Sequence, residues 1–108
     1  IISGGVNIYP QETDDVLLKH AAVGDVCTVG IPSEEWGEEV RSVVMLKSPT
    51  EDNAAVVQEL IAFCRDHLPH FKCPRSIDIV DELPRLPSGK IQRKVVRAPY
   101  WEGRKRQI

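Results

Sequence analysis

From Asn53 to Leu68 the apolar positions follow a helical beat: Val56 or Val57, Leu60, Ile61, Cys64 and Leu68 recur at three- and four-residue spacing, with Glu59, Arg65 and Asp66 between them. That pattern predicts a helix with one buried side. Asp52 or Asn53 can cap its start, and Pro69 marks its end. Elsewhere the rhythm is that of strands. Val26–Ile31 is β-branched and ends at Pro32. Val40 to Lys47 is a second strand, and its run Val43-Val44-Met45-Leu46 is too continuously apolar for an exposed edge. The two are expected to pair as a hairpin across the acidic connection of residues 33–39, and Ser48-Pro49-Thr50 breaks the second strand. Arg75–Val80 alternates and predicts a third strand. At the start, Ser3-Gly4-Gly5 reads as a glycine turn followed by a short extended segment. Pro10 suits the first position of a helix running to Lys19 or His20, with Glu12, Asp14 and Asp15 in its first turns. A last short helix is expected from Ile91 to Arg97, with Ile91 and Val95 on one side and Pro99 stopping it. The expected fold is α+β: a small sheet of about three main strands with two to three helices packed on it.

The chain's 108 residues suit one domain with one modest core. No run of 18 apolar residues occurs, so no membrane span is expected. The opening, Ile1-Ile2-Ser3-Gly4-Gly5, has neither Met nor the features of a secretory signal, and reads as the interior of a longer chain. Cys27, Cys64 and Cys73 form no C-x-x-C and join no histidine pair at zinc spacing, which favours reduced thiols in a cytoplasmic protein and no metal site. Cys27 and Cys64 lie in apolar patterns and read as small buried hydrophobes. His20, His67 and His70 fall near predicted helix ends, in structural or solvent-facing roles. The net charge is only −2, but residues 1–89 carry 7 Lys+Arg against 15 Asp+Glu, whereas residues 90–108 carry 7 against Glu102 alone. That asymmetry suits an anionic partner near the C-terminal end, or simply a solvated basic helix and tail.

The densest chemistry lies in Leu83-Pro84-Arg85-Leu86-Pro87-Ser88-Gly89-Lys90-Ile91-Gln92-Arg93-Lys94. Prolines fix φ and glycine permits angles other residues avoid, so this is a shaped arm with a long cation, Lys90, at its tip. It is not a nucleotide-binding glycine loop. That motif needs glycine five residues before Gly89, where Pro84 stands, and Ser or Thr after the lysine, where Ile91 stands. On the lysine alone, a surface turn leading into a helix is the better description, since exposed lysines are the norm.

Two separated motifs give the arm a context. Ser3-Gly4-Gly5-Val6-Asn7-Ile8-Tyr9-Pro10-Gln11-Glu12 resembles the start of the mobile C-terminal domain of acyl-adenylate-forming enzymes, and the 83–94 segment resembles that family's lysine-bearing loop. The ending Arg97-Ala98-Pro99-Tyr100-Trp101-Glu102-Gly103-Arg104 looks like that of fatty or medium-chain acyl-CoA synthetases. The resemblance implies that residues 1–108 are the small domain of a larger ligase, inactive alone, whose partner is a large N-terminal domain of the same chain. It implies ATP, a carboxylic acid and CoA as substrates, with Mg2+. It places Lys90 at the adenylation step, supported by Pro87, Ser88 and Gly89, and it sets Ser3, Gly4 and Gly5 beside the pantetheine channel in a second orientation of the domain. One departure stands out. The family usually follows Glu12 with an aliphatic residue and Glu, where this chain has Thr13 and Asp14, which touches helix packing rather than catalysis.

Two other readings stay open. The domain could serve a peptide-synthetase adenylation unit, whose thiol acceptor is a carrier protein. It could instead be a non-catalytic module holding nucleic acid or another polyanion through its basic end. Against the latter, only Tyr100 and Trp101 accompany the basic segment and the isoelectric point is near 5.9, so no nucleic-acid partner is expected.

Overall fold

The computed structural model describes residues 1–103. Arg104, the last residue of the tail motif, lies outside them, as do Lys105 and Arg106. Two short strands, β1 (Ile2–Ser3) and β2 (Val6–Asn7), form an antiparallel hairpin ahead of α1 (Pro10–Leu17). The main sheet has the order β3 (Val23–Ser33), β4 (Gly37–Leu46), β5 (Ser76–Val80). β3 and β4 are antiparallel, while β5 lies parallel to β4 after a crossover through α2 (Asn53–His67). The chain ends its described part in α3 (Arg93–Trp101).

The continuous apolar run at the sheet's centre has a simple cause: both faces of the sheet are covered. Val26 and Val44 point with Val16, Leu17, Leu60, Cys64 and Ile77 into a core under α1 and α2. Their neighbours Cys27 and Val43 point the other way, into a second core with Val29, Ile31 and Val96 of α3. Side chains on a strand alternate faces, so a strand covered on both sides loses the apolar-polar alternation of a half-buried one. Thr28 and Ser42, fully buried opposite each other, satisfy one another with a hydroxyl bond of 2.7 Å.

The helices start where local chemistry favours it. Pro10 takes the first turn of α1, and the Asp52 carboxylate caps α2 by accepting from the Ala55 amide at 3.0 Å. The departure at Thr13 and Asp14 proves structural: both are buried, and Thr13 donates its hydroxyl to the Lys72 carbonyl at 2.8 Å.

Three expectations need correction. β3 continues through Pro32 to Ser33, because it is an edge strand and an edge tolerates a residue without an N–H. The last helix starts at Arg93 rather than Ile91, since Ile91 is held in an extended bridge to Arg85. The shift changes the helix's phase, so Val96 is buried while Val95 is 52% exposed. Finally, Pro99 lies inside α3 and does not stop it. Side-chain anchors hold the turn around it: Trp101 donates to the Gly30 carbonyl at 2.9 Å, Tyr100 donates to Asp78, and Arg97 stacks on the Trp101 ring.

β3 pairs on one side only, and side chains close its other edge. Asp14 of α1 accepts from the Thr28 amide at 2.8 Å, and Arg93 of α3 donates to the Thr28 carbonyl at 2.6 Å and to Asp14 at 3.1 Å. Burial pushes the Asp14 carboxyl above the usual carboxylate range, while Thr28 and Arg93 pull it back. Arg93→Met would leave that buried group without its cation. We expect it to cost about 2–4 kcal/mol at neutral pH, read from urea unfolding of the domain. The penalty should shrink on acidification. Without Arg93 the folded Asp14 carboxyl rises further above its unfolded value of about 3.9, so between the two values the folded state binds more protons than the unfolded one. Stability of the variant then increases as pH falls through that interval.

Candidate functional site

The arm around Lys90 is a small hairpin. Arg85 and Ile91 face each other in an antiparallel bridge, the Leu86 amide donates to the Lys90 carbonyl at 2.9 Å, and the Gly89 amide donates to the Leu86 carbonyl at 2.8 Å. Pro87 presets the backbone for the tip, and Gly89 takes φ +90°, a conformation other side chains rarely adopt. At the base, the half-buried Leu83 and Ile91 pack against the second core and root the arm. Pro87, Ser88, Gly89 and Lys90 are all exposed. Among the described residues no carboxylate engages the Lys90 ammonium.

Arg85 ties the arm to the sheet. Its Nε and Nη2 donate to the two oxygens of Asp25, at the start of β3, at 2.9 and 2.6 Å, and its Nη1 donates to the Gly89 carbonyl. The Arg85 guanidinium holds the Asp25 carboxyl below the usual carboxylate range, against a smaller opposing effect of burial. The motif reading passed over both residues. A carboxylate immediately before the apolar run Val26–Ile31 was the available signal for Asp25.

The glycine hairpin lies at the far end of the β3–β4 ribbon. Gly4 and Gly5 take φ +56° and +82° in the β1–β2 turn. The Gly4 amide donates to the Trp36 carbonyl at 2.8 Å, and a Cβ on Gly4 would sit 2.7 Å from the Trp36 ring. Nothing lies within 4 Å of the corresponding point on Gly5, which faces open space. The Ile2 amide anchors this hairpin to Glu38 of β4 at 2.9 Å. Ser3 and Gly4 also form one wall of a cavity of about 520 Å³, whose other lining includes Trp36, Arg65, His70, Phe71 and Arg75. The Arg75 guanidinium lies over the Trp36 ring, 5.6 Å from its centroid.

The two groups of sequence-predicted residues are therefore not brought together. Asp25 pairs near Met45 at one end of the ribbon and Ser33 pairs with Gly37 at the other. Eight residues of strand separate them, on the order of 25 Å.

Other candidate chemistry is internal. Burial pushes the Cys27 thiol up to about 11 and the Cys64 thiol up to about 12, so neither is a nucleophile near neutral pH. His20 accepts from the Ala22 amide at 3.0 Å and lies 3.1 Å from Glu59. In the basic segment, Arg93 and Arg97 are spent on Asp14 and Glu38 rather than offered to a polyanion. Among the described residues, no three His, Cys, Asp or Glu side chains could hold a metal together, and no helix is long and apolar enough to cross a membrane.

Comparison with known proteins agrees with this architecture. The model of the AMP-binding enzyme C-terminal domain matches residues 12–90. The chain is 38% identical to a medium/long-chain-fatty-acid–CoA ligase of Mycobacterium tuberculosis, covering 100% of this chain and 20% of that protein. It is 40% identical to a long-chain-fatty-acid–CoA ligase of Salmonella typhimurium, covering 90% of this chain and 17% of that one. In three dimensions it matches the crystal structure of an acyl-CoA synthetase from Brucella canis with a TM-score of 0.89 and 36% identity, covering 96% of this chain and 19% of that one. The chain thus spans about a fifth of the length of the curated relatives it matches. Shaped lysine arm, glycine hairpin and three-stranded sheet together have one home: the chain belongs to the AMP-binding enzyme C-terminal domain family.

Proposed function

We propose that this domain serves an AMP-forming acyl-CoA synthetase, an acid–thiol ligase, and acts at both of its steps in turn. In the first, a carboxylate oxygen attacks the α-phosphorus of ATP and pyrophosphate leaves, giving acyl-AMP. In the second, the CoA thiol attacks the acyl carbon and AMP leaves, giving the thioester. Both halves need the large domain of the same chain, so the small domain by itself is inactive.

The observation that carries this reading is the placement of Lys90: an ammonium with no carboxylate partner among the described residues, at the tip of a rooted arm, in a domain of this family. Two anions must meet at the first step, and negative charge grows on the phosphoryl oxygens. A positioned ammonium relieves that repulsion and stabilises the transition state. Pro87, Ser88 and Gly89 shape the loop that delivers it. Among the described residues no group of His, Cys, Asp or Glu side chains could hold Mg2+.

The thioester step falls to the other end. Ser3, Gly4 and Gly5 border the passage for the pantetheine thiol, and Gly5 keeps that side of the hairpin low. The adjoining cavity combines aromatic faces, Trp36 and Phe71, with the cations Arg65 and Arg75. That lining suits the phosphorylated adenine nucleotide at the opposite end of CoA from its thiol. With the two regions some 25 Å apart on one rigid sheet, the domain must turn between steps to use both.

In the full-length enzyme, Lys90→Ala should lower carboxylate-dependent ATP–pyrophosphate exchange by about 10²–10³ while sparing thioester formation from supplied acyl-AMP. Gly5→Asn, which tolerates positive φ better than other residues, should do the reverse. Exchange that survived Lys90→Ala would make the arm a structural turn and end this reading. Separately, Arg75→Ala should raise KM for CoA about tenfold, the loss of one charge-assisted contact, and leave KM for ATP unchanged. Initial-rate kinetics over both substrates check this.

A further inference from the structure

We propose that Arg85 is a positioning residue for Lys90, fixing the peptide just before the lysine by donating to the Gly89 carbonyl while Asp25 grips its other two nitrogens. The proposal rests on the reading of Lys90 given above. Arg85 uses all three guanidinium nitrogens: Nε and Nη2 on Asp25, Nη1 on Gly89. A planar fork with every tine engaged leaves its plate little freedom to rotate.

Consider the arm without it. Between the Arg85–Ile91 bridge and the tip, two backbone hydrogen bonds hold the loop, Leu86 amide to Lys90 carbonyl and Gly89 amide to Leu86 carbonyl. Neither uses the Gly89 carbonyl. Gly89 itself, at φ +90° with open space where a Cβ would lie, has neither steric restraint nor side chain to hold it. The Gly89–Lys90 peptide could then swing, and the stem of Lys90 swings with it. Arg85 stops that motion from a fixed point on the sheet. Asp25 is such a point: its side chain is only 14% exposed, and its Oδ1 also accepts from the Val26 amide at 2.9 Å.

The arrangement has little use for stability. The Arg85 side chain is 43% exposed, and ion pairs at the surface contribute little to folding. Its consequence should instead appear in the rate of the step that needs the lysine in place, because a displacement of about 1 Å can cost as much as 10²-fold.

The test uses the full-length enzyme and a double-mutant cycle over Arg85→Met and Lys90→Ala, with ATP–pyrophosphate exchange and thioester formation from supplied acyl-AMP measured separately. Arg85→Met, which keeps the apolar stem, should lower kcat for exchange about 10- to 100-fold with KM for ATP and for the acid nearly unchanged, and it should leave thioester formation and Tm close to wild type. Arg85→Lys should fall between, since one ammonium cannot serve both Asp25 oxygens and Gly89. The double variant should be no slower in exchange than Lys90→Ala alone, because Arg85 acts only through the lysine. Wild-type exchange in Arg85→Met, alongside an impaired Lys90→Ala, would overturn the positioning role and leave the role of the lysine standing. Multiplicative losses in the double variant, or equal losses in both half-reactions, would overturn it too. Intact exchange in Lys90→Ala would instead remove the reading on which the proposal rests.

Discussion

The unpaired edge of β3 is the constraint that shapes this domain. An edge strand exposes backbone donors and acceptors that must be bonded, hydrated or covered. Here side chains do the covering: Asp14 on the Thr28 amide, Arg93 on the Thr28 carbonyl, Trp101 on the Gly30 carbonyl. Each of those side chains belongs to a helix that the edge thereby fixes, α1 through Asp14 and α3 through Arg93 and Trp101. Asp25, on the same strand, receives Arg85. The lysine arm is thus strung between two arginine attachments to one strand, Arg85 before it and Arg93 after it. The edge that threatens aggregation in an open sheet is used here as the mounting rail of the lysine arm.

Much of this was legible in the chain. The helix from Asn53, the three main strands, the glycine turn and the shaped arm around Lys90 are all visible in spacing and in turn residues. Those signals are local: a 3.6-residue beat, a cap at Asp52, prolines at fixed offsets. The misreadings share a different cause. Pro32 and Pro99 are breakers by local rule, yet one sits on an edge strand and the other in a turn anchored by Tyr100 and Trp101, and both facts are tertiary. The phase of α3 was lost because Ile91 pairs with Arg85 across a loop, which no periodicity reveals. Among candidate residues, the motifs point to Lys90 and to Ser3, Gly4 and Gly5, while nothing in the motifs singles out Arg85, Asp25, Trp36 or Arg75. Their roles depend on partners up to 60 residues away, as Arg85 and Asp25 are, or on the wall of a cavity assembled from several elements.

Charge shows the same division between composition and arrangement. The basic C-terminal segment suggests an anionic partner when counted, but Arg93 and Arg97 neutralise Asp14 and Glu38 within the domain. Among the described residues, the 83–94 segment keeps two exposed ammoniums, Lys90 at the tip of the arm and Lys94 in the first turn of α3. Of the two, only Lys90 stands at the end of a hairpin shaped by proline and glycine, so the arrangement distinguishes it where a count of charges does not.

The parallel pairing of β5 with β4 carries a consequence for how the domain forms. A parallel neighbour cannot be reached by a tight turn, so β5 waits for the whole of α2 to cross the sheet, whereas the β3–β4 hairpin closes locally. The arm follows β5, and its second anchor, Arg93, follows the arm. Ordering of the lysine loop is therefore a late event in folding, after the sheet it is mounted on is complete.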